Sequence, residues 1–86
     1  MSSFDAGQSE NTCSRYLADL GQLLKKQAMQ AREEARVATD ADRLFQQGRL
    51  LAYHEVVSLM QQQAKVFGIP LRSIGLEGLD AEADLL

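Results

Sequence analysis

The amino-acid sequence predicts an all-α protein, an antiparallel hairpin of two helices at about residues 12–38 and 40–67. Three observations support this fold class. Proline is absent from both predicted helices, and residues that favour helices, chiefly Leu, Ala, Gln, Glu, Lys and Arg, dominate them. Apolar residues recur at spacings of three and four, as along one face of a helix. The 86 residues allow one domain, which is small for a stable core, so self-association is expected.

Capping residues predict where the helices begin. Residues 1–11 are expected to form a flexible N-terminal segment, and polar residues near Thr12 are suited to capping the first helix. Thr39, followed three residues later by Asp42, resembles a capping box with Asp in place of Glu, so a second helix is expected from about residue 40. One uninterrupted helix of about 55 residues is the alternative. It is disfavoured because it would place charged residues in a continued apolar seam.

The end of the second helix is the clearest boundary in the sequence. Gly68 stands where a C′ residue adopts the left-handed conformation, a hydrophobic residue follows it, and Pro70 cannot continue the helix. Residues 12–69 therefore form the predicted hairpin domain. Residues 70–86 form an acidic C-terminal tail, which is expected to be irregular or 3₁₀-helical.

Each predicted helix carries one apolar seam of a width typical of helix–helix contact. The seam of helix 1 consists of Cys13, Leu17, Leu20, Leu24, Ala28, Ala31, Ala35 and Ala38. The seam of helix 2 consists of Phe45, Gly48, Ala52, Val56, Leu59, Gln63 and Val66. If the chain folds back near residue 40, these seams pair so that the numbers of facing residues sum to about 80. Large residues then face small ones near the turn and large ones further out, which favours the hairpin over an extended helix.

Helix 2 also carries a second apolar stripe, rotated by about 100° from its seam. The stripe consists of Leu50, Tyr53, Val57, Met60, Ala64 and Phe67. A two-helix hairpin buries only one face of each helix, so another element has to cover the second. The preferred prediction is a homodimeric four-helix bundle with this stripe as its interface. The alternative is the tail folding back with Leu71, Ile74, Leu76 and Leu79, although the tail contains two glycines and is short for six positions.

The residues with reactive or metal-ligating side chains do not form a catalytic or metal-binding motif. His54-Glu55 lacks the second histidine four positions after the first that a zinc protease needs, since position 58 is Ser58. His54 is interpreted as a solvated histidine and Glu55 as a partner for Gln27 or Lys25 on the facing helix. Cys13 is interpreted as a small buried apolar residue. The sequence thus predicts neither an enzyme nor a cofactor or metal.

The charges divide the chain into a basic body and acidic ends. Residues 15–72 contain all 9 Lys and Arg residues, whereas the net charge of the chain is −3. Four basic residues project from one side of helix 1 and are a possible binding site for an acidic partner: Lys25, Lys26, Arg32 and Arg36. Nucleic acid is an unlikely partner because the domain is not strongly basic and no aromatic residue is interleaved for base stacking. The leucines of the tail suggest a docking peptide as an alternative to a flexible solubilising segment.

These observations favour a non-enzymatic protein–protein interaction module that acts as a homodimer. Helical hairpins of this length occur among secretion co-chaperones, toxin-neutralising immunity proteins and small anti-activators, a likeness of architecture alone. A regulator that binds nucleic acid through the basic side of helix 1 is one alternative, and a non-catalytic subunit of a larger enzyme is another. No signal peptide and no membrane-length apolar run is present, and a single cysteine fits a reducing compartment, so a cytoplasmic location is expected.

Overall fold

The computed structural model describes the backbone of residues 6–86, and side chains from residue 11 onward, as an all-α protein. Helix α1 spans Ala6–Arg36, helix α2 spans Arg43–Phe67, a 3₁₀ turn spans Leu71–Ile74, and helix α3 spans Ala81–Leu85. Helices α1 and α2 pack on each other, the 3₁₀ turn packs on α1, and α3 packs on both helices. The predicted helical hairpin is confirmed, and the short C-terminal helix is an addition to it.

The N-terminal bounds of both helices differ from the prediction. Helix α1 begins at Ala6, six residues before the predicted start, and residues 1–5 lie outside the described residues. The flexibility of residues 1–11 stays a prediction. Helix α2 begins at Arg43, and Asp42 occupies its N-cap without a side-chain hydrogen bond. The predicted capping box is therefore not formed. Instead, the Asp42 amide donates to the Thr39 carbonyl at 3.0 Å, closing the turn through the backbone.

The predicted end of α2 is confirmed. Gly68 adopts the left-handed conformation, with φ 68° and ψ 27°. Its amide donates to the carbonyl of Lys65 at 3.2 Å, and the Ile69 amide donates to the carbonyl of Ala64 at 2.8 Å. These bonds satisfy carbonyls that have no partner within the helix, and Pro70 then directs the chain back toward α1.

The face of α2 that lies in the core is the second stripe, not the seam. Val57 and Ala64 are buried, and Leu50, Tyr53 and Met60 pack against the same core cluster. The axial register agrees with the expected sum of about 80, since the Tyr53 hydroxyl donates to Gln27 Oε1 at 3.0 Å. The predicted pairing of the two seams is nevertheless wrong, because α2 is rotated about its axis. This rotation lets one stripe of α2 contact both α1 and the C-terminal segment.

The C-terminal segment supplies much of the core. Its buried residues are Ile74, Leu76, Leu79, Ala81 and Leu85, and they pack against Ala28 of α1 and the stripe of α2. The expectation that the acidic tail is a flexible solubiliser is therefore wrong for these residues, although its carboxylates remain at the surface. The tail alternates apolar and acidic residues because one side of it faces the core.

Two glycines allow the tail to approach α1 closely. A Cβ atom on Gly21 would lie 1.5 Å from the carbonyl oxygen of Ile74. A Cβ atom on Gly75 would lie 2.2 Å from the carbonyl oxygen of Ala18, and Gly75 has a positive φ of 76°. Backbone thus packs directly on backbone here, and only glycine fits at either position.

Helix α3 is held by local and long-range hydrogen bonds. Asp80 caps it, since its Oδ1 accepts from the amides of Glu82 at 3.0 Å and Ala83 at 3.2 Å. In return, Asp84 Oδ2 accepts from the Asp80 amide at 2.9 Å. Gln61 of α2 donates to the carbonyl of Leu79 at 2.9 Å, which ties the segment to the hairpin.

Candidate interaction surface

The predicted dimer interface is largely covered by the protein's own tail. Val57 and Ala64 are buried within the single chain, and Leu50, Tyr53 and Met60 are half-buried against the core. Only Phe67, the last residue of the stripe, is well exposed. The prediction that a second subunit covers this stripe is wrong for Val57 and Ala64, which the chain itself covers, as the alternative prediction of a tail folding back expects. For the rest of the stripe, the predicted dimer contact stays a prediction.

The apolar surface that remains uncovered lies on the seam of α2. Phe45 is 69% exposed, Leu59 is 60% exposed and Val66 is 77% exposed. Val56 and Ala52 are exposed between them. At 100° per residue, these positions centre about 110° from the second stripe, on the side of α2 that faces away from the tail.

Helix α1 extends this apolar surface. Tyr16 is 65% exposed, Leu23 is 50% exposed, and Leu20 is half-buried beside them. The tail contacts α1 around Ala18, Gly21 and Gln22, so the helical repeat places Tyr16 and Leu23 on the opposite side. The tail packs on one side of the hairpin, so the exposed part of the α2 seam and the exposed apolar residues of α1 share the other side. We call this surface the open face: Tyr16, Leu20, Leu23, Phe45, Ala52, Val56, Leu59 and Val66.

The four predicted partner-binding basic residues do not form a single free cluster. Lys25 is half-buried and donates to the carbonyl of Glu77, so it helps to hold the tail. Arg36 forms two hydrogen bonds of 2.8 Å with Glu33, and these bonds together with the carboxylate charge raise the pKa of Arg36. Lys26 and Arg32 are exposed. The Glu33 carboxylate offsets the charge of Arg36, and the bond to the Glu77 carbonyl holds the Lys25 ammonium at the tail.

The two side chains with intrinsic chemical reactivity lie far apart. Cys13 is exposed near the start of α1, so the interpretation of a buried cysteine is wrong. His54 lies against α3, with Nε2 3.5 Å from Glu82 Oε1, so the interpretation of a solvated histidine is also wrong. In the hairpin register His54 is level with Lys26, about 20 Å along the axis from Cys13. One chain therefore cannot bring the thiol and the imidazole together.

Glu55 does not take the expected structural role. It is exposed on α2, while Gln27 bonds Tyr53 and Lys25 bonds the tail. Among the side chains of residues 11–86, no group of three or more His, Cys, Asp and Glu is arranged to hold a metal ion. In the same part of the chain, no helix has the length and apolar character needed to cross a membrane.

Comparison with known proteins adds no further assignment. No family model, no curated protein and no solved structure matches this chain. The functional inference therefore depends on the surface of the molecule itself.

Sequence reasoning identified both apolar faces of α2 but exchanged their roles. Its error was to treat the tail as too short and too rich in glycine to cover a face. Gly75 in fact permits the contact with Gly21 that places Leu76 in the core. One signal in the sequence pointed to the correct assignment. The seam of α2 contains Gly48 and Gln63, whereas the second stripe is apolar throughout, as a core-facing stripe should be.

Proposed function

We propose that this chain is a non-enzymatic protein–protein interaction module, of an adaptor, chaperone-like, immunity or anti-activator type, and that the open face is its binding surface. The supporting observation is that large apolar side chains of two adjacent helices stay exposed on one side of the hairpin. Proteins that act as monomers rarely expose contiguous apolar patches beyond a few hundred Å². Such a surface is therefore expected to be covered by another protein in use.

The chemistry of the chain supports binding rather than catalysis. General acid–base or nucleophilic catalysis needs side chains within hydrogen-bond reach of one another. His54 and Cys13 are separated by about 20 Å along the hairpin, and Glu82, which contacts the imidazole, is largely exposed at a helix end. The open face offers apolar side chains and amides instead, which suit a helical or apolar partner surface.

The alternative of a nucleic-acid regulator has less support from the contacts. Lys25 and Arg36 are already bonded within the chain, and Lys26 and Arg32 are the two basic residues of the predicted group that remain available to phosphates. Phosphate contacts dominate the affinity of nucleic-acid binding. Two lysine or arginine side chains provide only a small part of the 6–10 such contacts that a typical binder makes.

A pair of matched variants tests the binding surface. Leu59→Asp places a charge in the centre of the open face, whereas Gln47→Asp adds the same charge at an exposed position on another side of α2. Binding to a stoichiometric partner is measured by affinity capture from the native host, followed by titration with the purified partner. The expected result is retention by wild type and Gln47→Asp and loss by Leu59→Asp.

Two outcomes contradict the proposal. A partner that binds Leu59→Asp as tightly as wild type uses another surface. Salt-sensitive binding to nucleic acid that is abolished by neutralising Lys26 and Arg32, without any protein partner, would support the regulator instead.

A further inference from the structure

We propose that the occupant of the open face is a second copy of this chain, related by a two-fold axis parallel to the helices. Helix α2 of each copy then packs on α1 of the other. This inference rests on the proposed function, because it names the partner of the same surface. It differs from a dimer through the second stripe, which the tail covers.

Apolar residues of the two helices lie at the same height along the hairpin. The Tyr53–Gln27 hydrogen bond shows that residues whose numbers sum to about 80 are level with each other. Val56 is therefore level with the Leu23 region, and Leu59 is level with the Leu20 region. A two-fold axis parallel to the helices leaves heights unchanged. It therefore places Val56 and Leu59 of one copy against Leu23 and Leu20 of the other, in both contacts at once.

The small residues of the open face fit the same arrangement. Gly48 lies inside α2 with a negative φ, and a Cβ atom there would meet no atom within 4 Å. Glycine in a helix interior is about 1 kcal/mol less favourable than alanine, so nothing in the described chain explains its presence. Gly48 is level with the Gln30 region of α1, and the long side chain of Gln30 needs space on a facing helix. A close partner helix gives Gly48 a role.

Charge complementarity favours this arrangement over an antiparallel packing of α2 on α2 of the second copy. Glu55 is exposed at the outer edge of the open face of α2, and Lys26 is exposed at the outer edge of α1. Neither side chain forms an ion pair with another side chain of residues 11–86. The numbers of these residues sum to about 80, so the proposed axis brings Glu55 next to Lys26 of the second copy. Packing α2 on α2 with antiparallel axes instead brings the two Glu55 side chains together, which is unfavourable.

The surface is large enough for a dimer. Residues 45–66 cover about 30 Å at 1.5 Å per residue, and two helices about 9 Å apart present a strip about 20 Å wide. The resulting area of about 600 Å² per copy approaches the roughly 800 Å² per partner of standard stable interfaces. A second copy therefore covers the whole open face, whereas a single docked peptide covers only the groove between the helices.

The first test is the oligomeric state of the full chain. Sedimentation equilibrium and light scattering are expected to show a dimer for wild type and for Gln47→Asp. Leu59→Asp is expected to raise the dimer dissociation constant by at least about 100-fold, because it buries an unpaired charge at the contact. If circular dichroism shows an unchanged helix content for Leu59→Asp, the effect of the substitution is on assembly and not on folding. A Leu59→Ala variant with a smaller increase provides a second reading if the aspartate disturbs folding.

The second test is a charge swap between Glu55 and Lys26. Glu55→Lys and Lys26→Glu alone are each expected to weaken the dimer by about 3- to 10-fold, and the double variant to recover most of the wild-type affinity. A double variant no tighter than the singles overturns the proposed axis. A monomeric wild type overturns the inference. If Leu59→Asp still abolishes capture of a different protein, the proposed function survives that result. If wild type is monomeric and Leu59→Asp captures the different protein as well as wild type does, both the inference and the proposed function fail.

Discussion

Replacing Gly21 by alanine tests the docking of the tail on α1. Helix propensity alone predicts that this substitution stabilises α1 by about 1 kcal/mol. The structure predicts the opposite sign, because the new Cβ would lie 1.5 Å from the carbonyl oxygen of Ile74 and 2.6 Å from its carbonyl carbon. Both atoms belong to the backbone, so the 3₁₀ turn has to move away by at least about 1.5 Å to restore van der Waals contact.

The magnitude follows from what the tail buries. Ile74, Leu76 and Leu79 are all buried in the core cluster. Complete undocking exposes them at about 1.5–3 kcal/mol each, whereas a small shift with local overpacking costs about 1–3 kcal/mol. We expect a loss of about 3 kcal/mol in the free energy of unfolding, since the tail moves as a unit but keeps part of its contacts. For a domain of this size, that loss lowers the melting temperature by at least about 12 °C.

Thermal and urea unfolding followed by circular dichroism measure this loss, and Gly48→Ala is the control. Gly48 has the same residue type in the neighbouring helix, but a Cβ there meets nothing within 4 Å of the chain. Measured on monomer at high dilution, Gly48→Ala is expected to raise stability by about 0.5–1 kcal/mol. Tryptic cleavage after Arg72, at the 3₁₀ turn, is expected to accelerate in Gly21→Ala only. A Gly21→Ala protein that melts at or above the wild-type temperature, with an uncleaved tail, would refute the Gly21–Ile74 contact.

Three further substitutions test the C-terminal segment. Leu85 is fully buried and Leu86 is 68% exposed. In urea unfolding, Leu85→Ala is expected to lower the free energy of unfolding by about 2–5 kcal/mol, and Leu86→Ala by less than about 0.5 kcal/mol. Equal losses would contradict the placement of α3. Asp80→Ala removes the cap of α3 and is expected to cost about 1 kcal/mol, with faster amide exchange confined to α3; uniform exchange changes would argue against a local cap. Both ring nitrogens of His54 are buried without a hydrogen bond, so His54→Leu is expected to raise the melting temperature slightly; a marked loss of stability would show that the contact with Glu82 matters.

The hairpin was predictable from the sequence because its signals are local. The left-handed position at Gly68 and the apolar spacing along both helices each depend on a few neighbouring residues. The identity of the core face of α2 was not predictable in the same way. It depends on whether the tail reaches α1, which is decided by backbone contact between Gly21 and Gly75, 54 positions apart. A glycine in the sequence indicates that the backbone can adopt a positive φ or approach another backbone closely, but it does not identify the residue that it contacts.

The candidate site was partly predictable for the same reason. The periodicity showed that α2 has two apolar faces, and a helix that is apolar on two sides belongs between two layers. The tail is one of these layers, through Leu76 and Leu79. For the open face, we propose that another chain supplies the second layer, since Val56, Leu59 and Val66 contribute little to a single chain in which they remain exposed. The two faces lie about 110° apart on α2 and share no residue. Tail docking and assembly should therefore contribute independently: Leu59→Asp changes association without releasing the tail, and Gly21→Ala changes stability while leaving Glu55 and Lys26 in place.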